Sequence, residues 1–570
     1  MKTVLVSLNA KFIHSSLALR YIKDYCSYDI ETIEFTINHE ENLIIKTIYN
    51  ASPDILGFSC YIWNIKYIKS LIPILKKIMP NIKIVLGGPE VSFESRNLLN
   101  ELPIDIIMEG EGEQTWQEYL DYIHEKRVDI KNIDGLVYKQ NKQIVVNDAR
   151  QPLKMALLPF VYKNMDGLEN KIIYYEASRG CPFNCQYCIS SLEKQVRFLP
   201  IERVKRELQH FLDMNVAQVK FIDRTFNAKK DFALEIWMYI VQNDNGITNF
   251  HFEIAAELLT KSTLEVLSGA RKGLIQFEIG VQSTNIDTLI AIKRFMPFEK
   301  ISIITKKIAS LGNIHQHLDL IAGLPYEGYS SFKKSFNDVI SVRPEQLQLG
   351  FLKVLKGSGL YFDGDKYGIV YKEEAPYEVL YTKNISYKEI LKLHLIEEML
   401  EKYYNSRRFN ASIEYLFSLF NTPFDFFEEL GEYWECNKYD EISHKKLTYY
   451  KYLLEFAQNI SNCNIDYLKE LLRWDMLSHE NVKEIPSIYT TLDQVPYKNE
   501  IINKLKDPQW AIQFGEEFVQ KISKQKFRSI HIEFFKYNMF KEEILLNPQG
   551  IIFDYTYGNN MIKTYYIKEN

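Results

Sequence analysis

Arg179-Gly180-Cys181-Pro182-Phe183-Asn184-Cys185-Gln186-Tyr187-Cys188 is the stretch on which the reading of the fold turns. Three thiols fall within eight positions, at spacings of four and three, directly after the apolar run Ile172 to Ala177. That run predicts a short buried strand, and Gly180 and Pro182 break it into a loop. A loop that turns three thiolates inward suits a soft metal centre. Three protein ligands on a four-iron cluster leave one iron open to a small molecule, whereas an electron-carrying cluster usually has four cysteines. Zinc would want a fourth ligand from a second Cys or His pair. Cys26, Cys60, Cys436 and Cys463 are isolated, so the spacing favours iron and sulfur.

Outward from this loop, 570 residues are too many for one core and predict about three or four domains. Apolar content of 46% and charged content of 25% describe an ordinary globular chain. A net charge of −5 gives no global attraction to nucleic acid or to anionic membranes. Seven cysteines in so long a chain are not a disulfide framework, and a reducing cytoplasm is the expected location. The start, Met1 to Asn9, reads as a first strand rather than a signal peptide. No apolar stretch approaches the ~20 residues that span a bilayer.

Residues ahead of the loop alternate strand and helix signals. Val4–Leu8, Asp54–Tyr61, Ile82–Gly88 and Ile104–Met108 are apolar runs, with a shorter strand expected near Ile33–Phe35. Periodic segments such as Ile65, Ile68, Leu71, Ile72 and Leu75 lie between them. The alternation predicts parallel strands with crossover helices, a doubly wound α/β layer fold. Ligands in such folds sit at the carboxyl ends of strands. The residues just past those ends are therefore candidates: Asn9 to Ser16 with His14, Ser59 to Trp63, Gly87 to Ser92 with Gly88, and Glu109 to Glu113.

Residues 131–170 read as a bridge containing a hairpin, Gly135–Tyr138 and Gln143–Asn147. From 171 to 370 the strand–helix alternation resumes, with six strand candidates at 172–176, 218–222, 251–254, 276–279, 317–321 and 346–351. Chemistry-bearing side chains follow them: Asp223 and Arg224, Glu253 and Glu257, Glu278 and Gln282, then Asp319 and Gly323. For any single member, a solvated strand end or an ion pair is the competing expectation. Residues 375–570 turn mostly helical and close on strand-like segments, an α+β domain whose role the sequence leaves open.

The Cys-x-x-x-Cys-x-x-Cys loop, with Tyr187 ahead of its last cysteine, resembles the signature loop of the radical S-adenosylmethionine (SAM) enzymes. The resemblance implies a 4Fe-4S cluster on Cys181, Cys185 and Cys188, with SAM on the open iron. Reductive cleavage of SAM then yields a 5′-deoxyadenosyl radical. The preceding domain, on Ser59, Gly87-Gly88 and the Glu109–Glu113 loop, resembles the cobalamin-binding domain of cobalamin-dependent radical enzymes. That likeness implies a Rossmann-like domain over 1–130 that buries the cobalamin lower base near Ser59, Gly87 and Gly88, with Glu109 and His14 as further pocket positions. Methionine synthase-like domains use Asp-x-His-x-x-Gly. Here Phe12 stands for the Asp and Leu17 for the Gly, so His14 is expected as a pocket residue rather than a cobalt ligand.

The strand-end segments resemble the branch that holds the oxygen-independent coproporphyrinogen oxidase, the methylthiotransferases and the elongator acetyltransferase subunit. By that resemblance residues 171–370 form a partial (β/α)6 barrel. Asp223, Glu257, Glu278 and Gln282 would line the SAM and substrate cavity, and Gly323 would lie against the adenosine. The function implied is an oxygen-sensitive, cobalamin-dependent radical SAM enzyme that takes hydrogen from an unactivated carbon, with methyl transfer from methylcobalamin to follow. It implies an electron donor such as flavodoxin or ferredoxin. The alternatives are a radical enzyme without methyl transfer (cyclisation, rearrangement or tRNA modification) and a cobalamin or redox sensor. A methylthiotransferase should carry three more cysteines in its first domain, where only Cys26 and Cys60 stand. Lipid, tetrapyrrole, peptide, small metabolite and RNA all stay open as substrates.

Overall fold

A computed structural model describes residues 1–125, 129–482, 484–525, 529–556 and 562–567, without the side chains of 521–525. The chain divides into two compact units, Met1–Ile390 and Leu391–Asn570. The sequence placed a boundary near 370–375, some twenty residues earlier.

The first unit opens with a seven-stranded sheet: β1 (Thr3–Asn9), β2 (Ile30–Thr36), β3 (Ile55–Ser59), β4 (Lys83–Gly87), β5 (Ile106–Met108), β6 (Leu136–Gln140) and β7 (Gln143–Val146). The strand order is β2-β1-β3-β4-β5-β6-β7, parallel through β5 and antiparallel thereafter. All seven residues of β1 are buried, as an apolar strand covered by helices on both faces must be. Helix Ile65–Ile78 buries Ile65, Ile68, Leu71, Ile72 and Leu75, the single stripe that its periodicity predicts. Chain order reverses between β1 and β3, so the switch point lies between the loops after Asn9 and after Ser59. The hairpin expected in a bridging segment instead completes this sheet. β6 pairs with β5 and covers an edge that would otherwise be open.

The second sheet is formed by β8 (Ile173–Tyr175), β11 (Gln218–Phe221), β12 (Asn249–Ile254), β13 (Ile275–Gln282), β14 (His315–Ala322) and β15 (Gln346–Phe351). Between the first two of these runs a two-stranded ribbon, β9 (Ser178–Arg179) and β10 (Arg197–Phe198). The six strands are parallel in the order β15-β14-β13-β12-β11-β8, and the end strands do not pair among the described residues. Alternation sorts their side chains. Phe250, Phe252, Phe277 and Ile279 point to the helices, where Trp237 packs 5.9 Å from Phe252 and 5.6 Å from Phe277. The intervening positions, His251, Glu253, Gln276, Glu278 and Gln282, share the other face. The core is aromatic and the opposite face polar.

In the second unit, helices Asn410–Phe417, Pro423–Cys436, Lys446–Ala457 and Ile465–Leu477 accompany an antiparallel sheet of Ile530–Tyr537, Ile544–Asp554 and Lys563–Tyr566. Tyr403, Phe409, Trp434 and Tyr450 form its aromatic centre. Arg473, 1% exposed, sets Nη1 3.2 Å from Glu533 and ties helix to sheet.

Candidate active site

The three cysteines follow β8 on a loop that the chain pins at several points. Asp223 accepts from the Ala177 amide (3.1 Å) and from the Ser178 hydroxyl (2.5 Å), fixing the exit of β8. The Cys181 amide donates to Glu193 O (3.0 Å), the Gln186 amide to Ile292 O (3.0 Å), and the Leu360 amide to Gln186 O (2.8 Å). Cys181 and Cys185 are buried and Cys188 half-buried. Burial pushes the Cys181 thiol up. Each thiolate of a 4Fe-4S cluster stands on its own iron, and three thiols spaced along one short loop fit that donor set.

A residue that sequence reasoning missed completes the loop. Arg294 sets Nη1 3.6 Å from Cys185 Sγ and donates Nη2 to Gly280 O. It lies in a loop beyond Gln282, and a lone basic pair, Lys293-Arg294, reads as a solvated turn. Only the fold brings it to the thiols.

The strand-end residues separate into two kinds. Asp223 is buried with both carboxylate oxygens taken by the chain, and burial raises it to about 7. Glu278 lies in mid-strand, with Lys220 Nζ and His251 Nε2 each 3.0 Å from Oε2. Burial would raise its carboxyl; His251 and Lys220 override this and hold it at about 2. Glu257 and Gln282 differ, because Glu257 Oε2 and Gln282 Oε1 are buried acceptors with no hydrogen-bond partner among the described residues. Gln282 also takes a φ of +71°, beside a register shift between β13 and β14. Left-handed backbone at a bulge re-aims a side chain, and such strain clusters at functional sites. Two orphaned acceptors fit a ligand that brings donors, as the ribose hydroxyls and ammonium of SAM do. Gly323, at φ +84°, is close to protein: a Cβ there would lie 2.6 Å from Val379.

At the first sheet, Gly88 has φ +110°, and a Cβ would lie 2.5 Å from Cys60 O. Only glycine fits that approach. Gly87 is under no such constraint, its nearest neighbour being at 3.8 Å. Ser59, buried at the end of β3, has an Oγ without a hydrogen-bond partner among the described residues. Tyr61 and Trp63 stack at 4.5 Å, and Phe12 and Trp63 are 65% and 42% exposed on the two sides of the switch point. An orphaned hydroxyl and exposed aromatic faces fit a broad ligand laid over these strand ends. His14 sets Nδ1 2.5 Å from Tyr174 OH, in β8 of the second sheet. Glu109 donates its amide to Gly135 O (2.8 Å), while its loop neighbours Glu111 and Glu113 grip Arg179.

Family models match three stretches: a B12 binding domain over 3–120, the radical SAM superfamily over 175–339, and a protein of unknown function, DUF4080, over 365–553. An uncharacterized methyltransferase of Pyrococcus horikoshii is 35% identical over 220 residues, 36% of this chain and 47% of that protein. The cobalamin-dependent radical SAM methyltransferase TokK of Streptomyces tokunonensis is 25% identical over 332 residues, 54% of this chain and 48% of its own. The chain thus spans about half the length of these relatives. The solved structure of the cobalamin-dependent SAM radical enzyme OxsB, with aqua-cobalamin and SAM bound, superposes with a TM-score of 0.57. It covers 92% of this chain and 80% of that one at 15% identity, a likeness of fold alone. A radical SAM domain implies a 4Fe-4S cluster and SAM, and a B12 binding domain implies cobalamin. No helix among the described residues is long and apolar enough to cross a membrane. The chain thus carries, in order along the sequence, a B12-binding domain, a radical SAM domain and a DUF4080 domain.

Proposed function

We propose that the chain is a cobalamin-dependent radical SAM methyltransferase acting on an unactivated carbon. When bound, the cluster and SAM supply a 5′-deoxyadenosyl radical that takes hydrogen from the substrate, and methylcobalamin supplies the methyl group. The observation that carries this reading is the presence, in one compact unit, of the three-thiol loop and the Ser59–Gly88 cradle. Cys181, Cys185 and Cys188 would hold the cluster, with Arg294 as counter-charge to Cys185. Glu257 and Gln282 would accept hydrogen bonds from SAM. Ser59 and the backbone at Gly88 would seat the buried part of cobalamin, with Gly87 and Glu109 beside them. Asp223 serves this site by fixing the exit of β8, and Glu278 by holding Lys220 and His251. In this reading residues 1–130 with the following hairpin hold cobalamin and 171–370 hold the cluster. Residues 375–570 form the third domain, and a small carrier such as flavodoxin or ferredoxin supplies the electron.

The test is anaerobic turnover of SAM carrying a deuterated methyl group, with dithionite and a whole-cell extract of the source organism that holds its metabolites, lipids, peptides and RNA. The reading expects a deuteromethylated product together with S-adenosylhomocysteine and 5′-deoxyadenosine. 5′-Deoxyadenosine without any labelled product would leave a radical enzyme and remove methyl transfer.

A further inference from the structure

The cluster loop is closed at its base by two arginines facing each other. β9 and β10 pair antiparallel with Arg179 opposite Arg197, so one guanidinium stands where the loop begins and the other where it ends. Two adjacent cations would repel, and the chain answers with carboxylates, two of them from the first sheet's side. Arg179 sets Nη1 3.2 Å from Glu111, Nη2 2.6 Å from Glu113 and Nε 2.9 Å from Glu176. Arg197 shares the same Glu111 oxygen, reaches Glu193 at 2.6 Å, and donates to Leu153 O. The other Glu111 oxygen accepts from the Leu153 amide at 2.7 Å. Both guanidiniums are 13% exposed, and Glu113 is 6% exposed.

Glu111 and Glu113 do not belong to the cysteine loop. They head helix Gly112–Ile123, directly after β5 of the B12-binding domain. The planar fork of arginine holds several carboxylates in fixed directions, where the rotatable ammonium of lysine fixes none. Glu111 therefore joins both ends of the cluster loop to one turn of the neighbouring domain.

We propose, resting on the two-cofactor reading above, that Arg179 and Arg197 are positioning residues. Their joint hold on Glu111 and Glu113 fixes the cluster loop to the B12-binding domain and so sets the separation of the two cofactors.

The first experiment needs no cofactor. In the cofactor-free full-length chain, backbone hydrogen–deuterium exchange is followed in segments 109–113 and 178–198. Arg179→Gln is expected to speed exchange in both by at least about tenfold, because a buried pair is broken on one side only. Faster exchange confined to 178–198 overturns the clamp. Glu113→Gln, placed in the other domain and nearly isosteric, carries the same expectation and stands in if Arg179→Gln does not fold.

The second experiment reads the separation itself. With the cluster reduced and cobalamin as cob(II)alamin, pulsed dipolar EPR should give one narrow distance distribution in the native chain. It should broaden in Arg179→Gln and Glu113→Gln at unchanged iron and cobalamin content, with Arg179→Lys between. An unchanged distribution in both variants overturns the positioning role. A native chain that takes up no corrin sinks the cobalamin reading instead, and the exchange result then decides the clamp alone.

Discussion

Arg294 and Cys185 meet at 3.6 Å, Nη1 to Sγ, while the same guanidinium donates to the Gly280 carbonyl. The guanidinium so sets a fixed positive charge beside the Cys185 sulfur at the end of β13.

Arg294→Gln keeps hydrogen bonding and removes the charge. Partners that tune metal ligands are typically worth 10–100-fold in metal affinity or activity. The variant should lose about that factor in 5′-deoxyadenosine rate per iron bound, measured by chromatography beside an iron assay. A rate within about twofold of native would detach Arg294 from the cluster.

Gly88→Ala tests the other cradle. The Cβ meets Cys60 O at 2.5 Å, and the φ of +110° is strained for any L side chain. Such backbone costs on the order of 1–3 kcal/mol. The expected outcome is a lower melting temperature and a reduced corrin-to-protein ratio, with iron content unchanged. Cobalamin loading at the native ratio would remove Gly88 from that site.

Glu278 gives a pH dependence of defined sign. Its carboxyl is held at about 2 against an ordinary 4.5. A depressed carboxylate contributes stability that is present above the unfolded value and lost as pH falls through the folded one. The contribution is on the order of 3 kcal/mol. The gap in unfolding free energy between native and Glu278→Gln should therefore be full at pH 7 and shrink as pH falls below 4.5. Denaturant titrations at several pH values check it, and a constant gap contradicts the pairing with Lys220 and His251.

The alternation of apolar runs made both parallel sheets legible in the sequence, because strands buried on two faces leave continuous Val, Ile and Leu segments such as β1. The cysteine spacing was legible for the same local reason. Long-range partnership was not. Arg294 reaches Cys185 across more than a hundred residues, and Arg179 finds Glu111 and Glu113 at the head of a helix in the other domain. Nothing in local pattern distinguishes Glu111 from Glu109. The acids at strand ends looked alike in sequence. The fold leaves acceptors open on Glu257 and Gln282, while Asp223 and Glu278 are engaged by the chain. The hairpin at β6–β7 was legible as a hairpin, but its attachment to β5 depends on an exposed edge that no local signal records.

The most direct test of the account is 5′-deoxyadenosine formed per chain after anaerobic reconstitution with iron, sulfide and cobalamin, with SAM and dithionite added. The native chain should hold about four irons, show a corrin spectrum and form the nucleoside only with reductant. Cys185→Ala should form none while keeping its corrin spectrum. Nucleoside production by Cys185→Ala at the native rate, or none from a native chain carrying its full iron, would contradict the cluster assignment on which the rest depends.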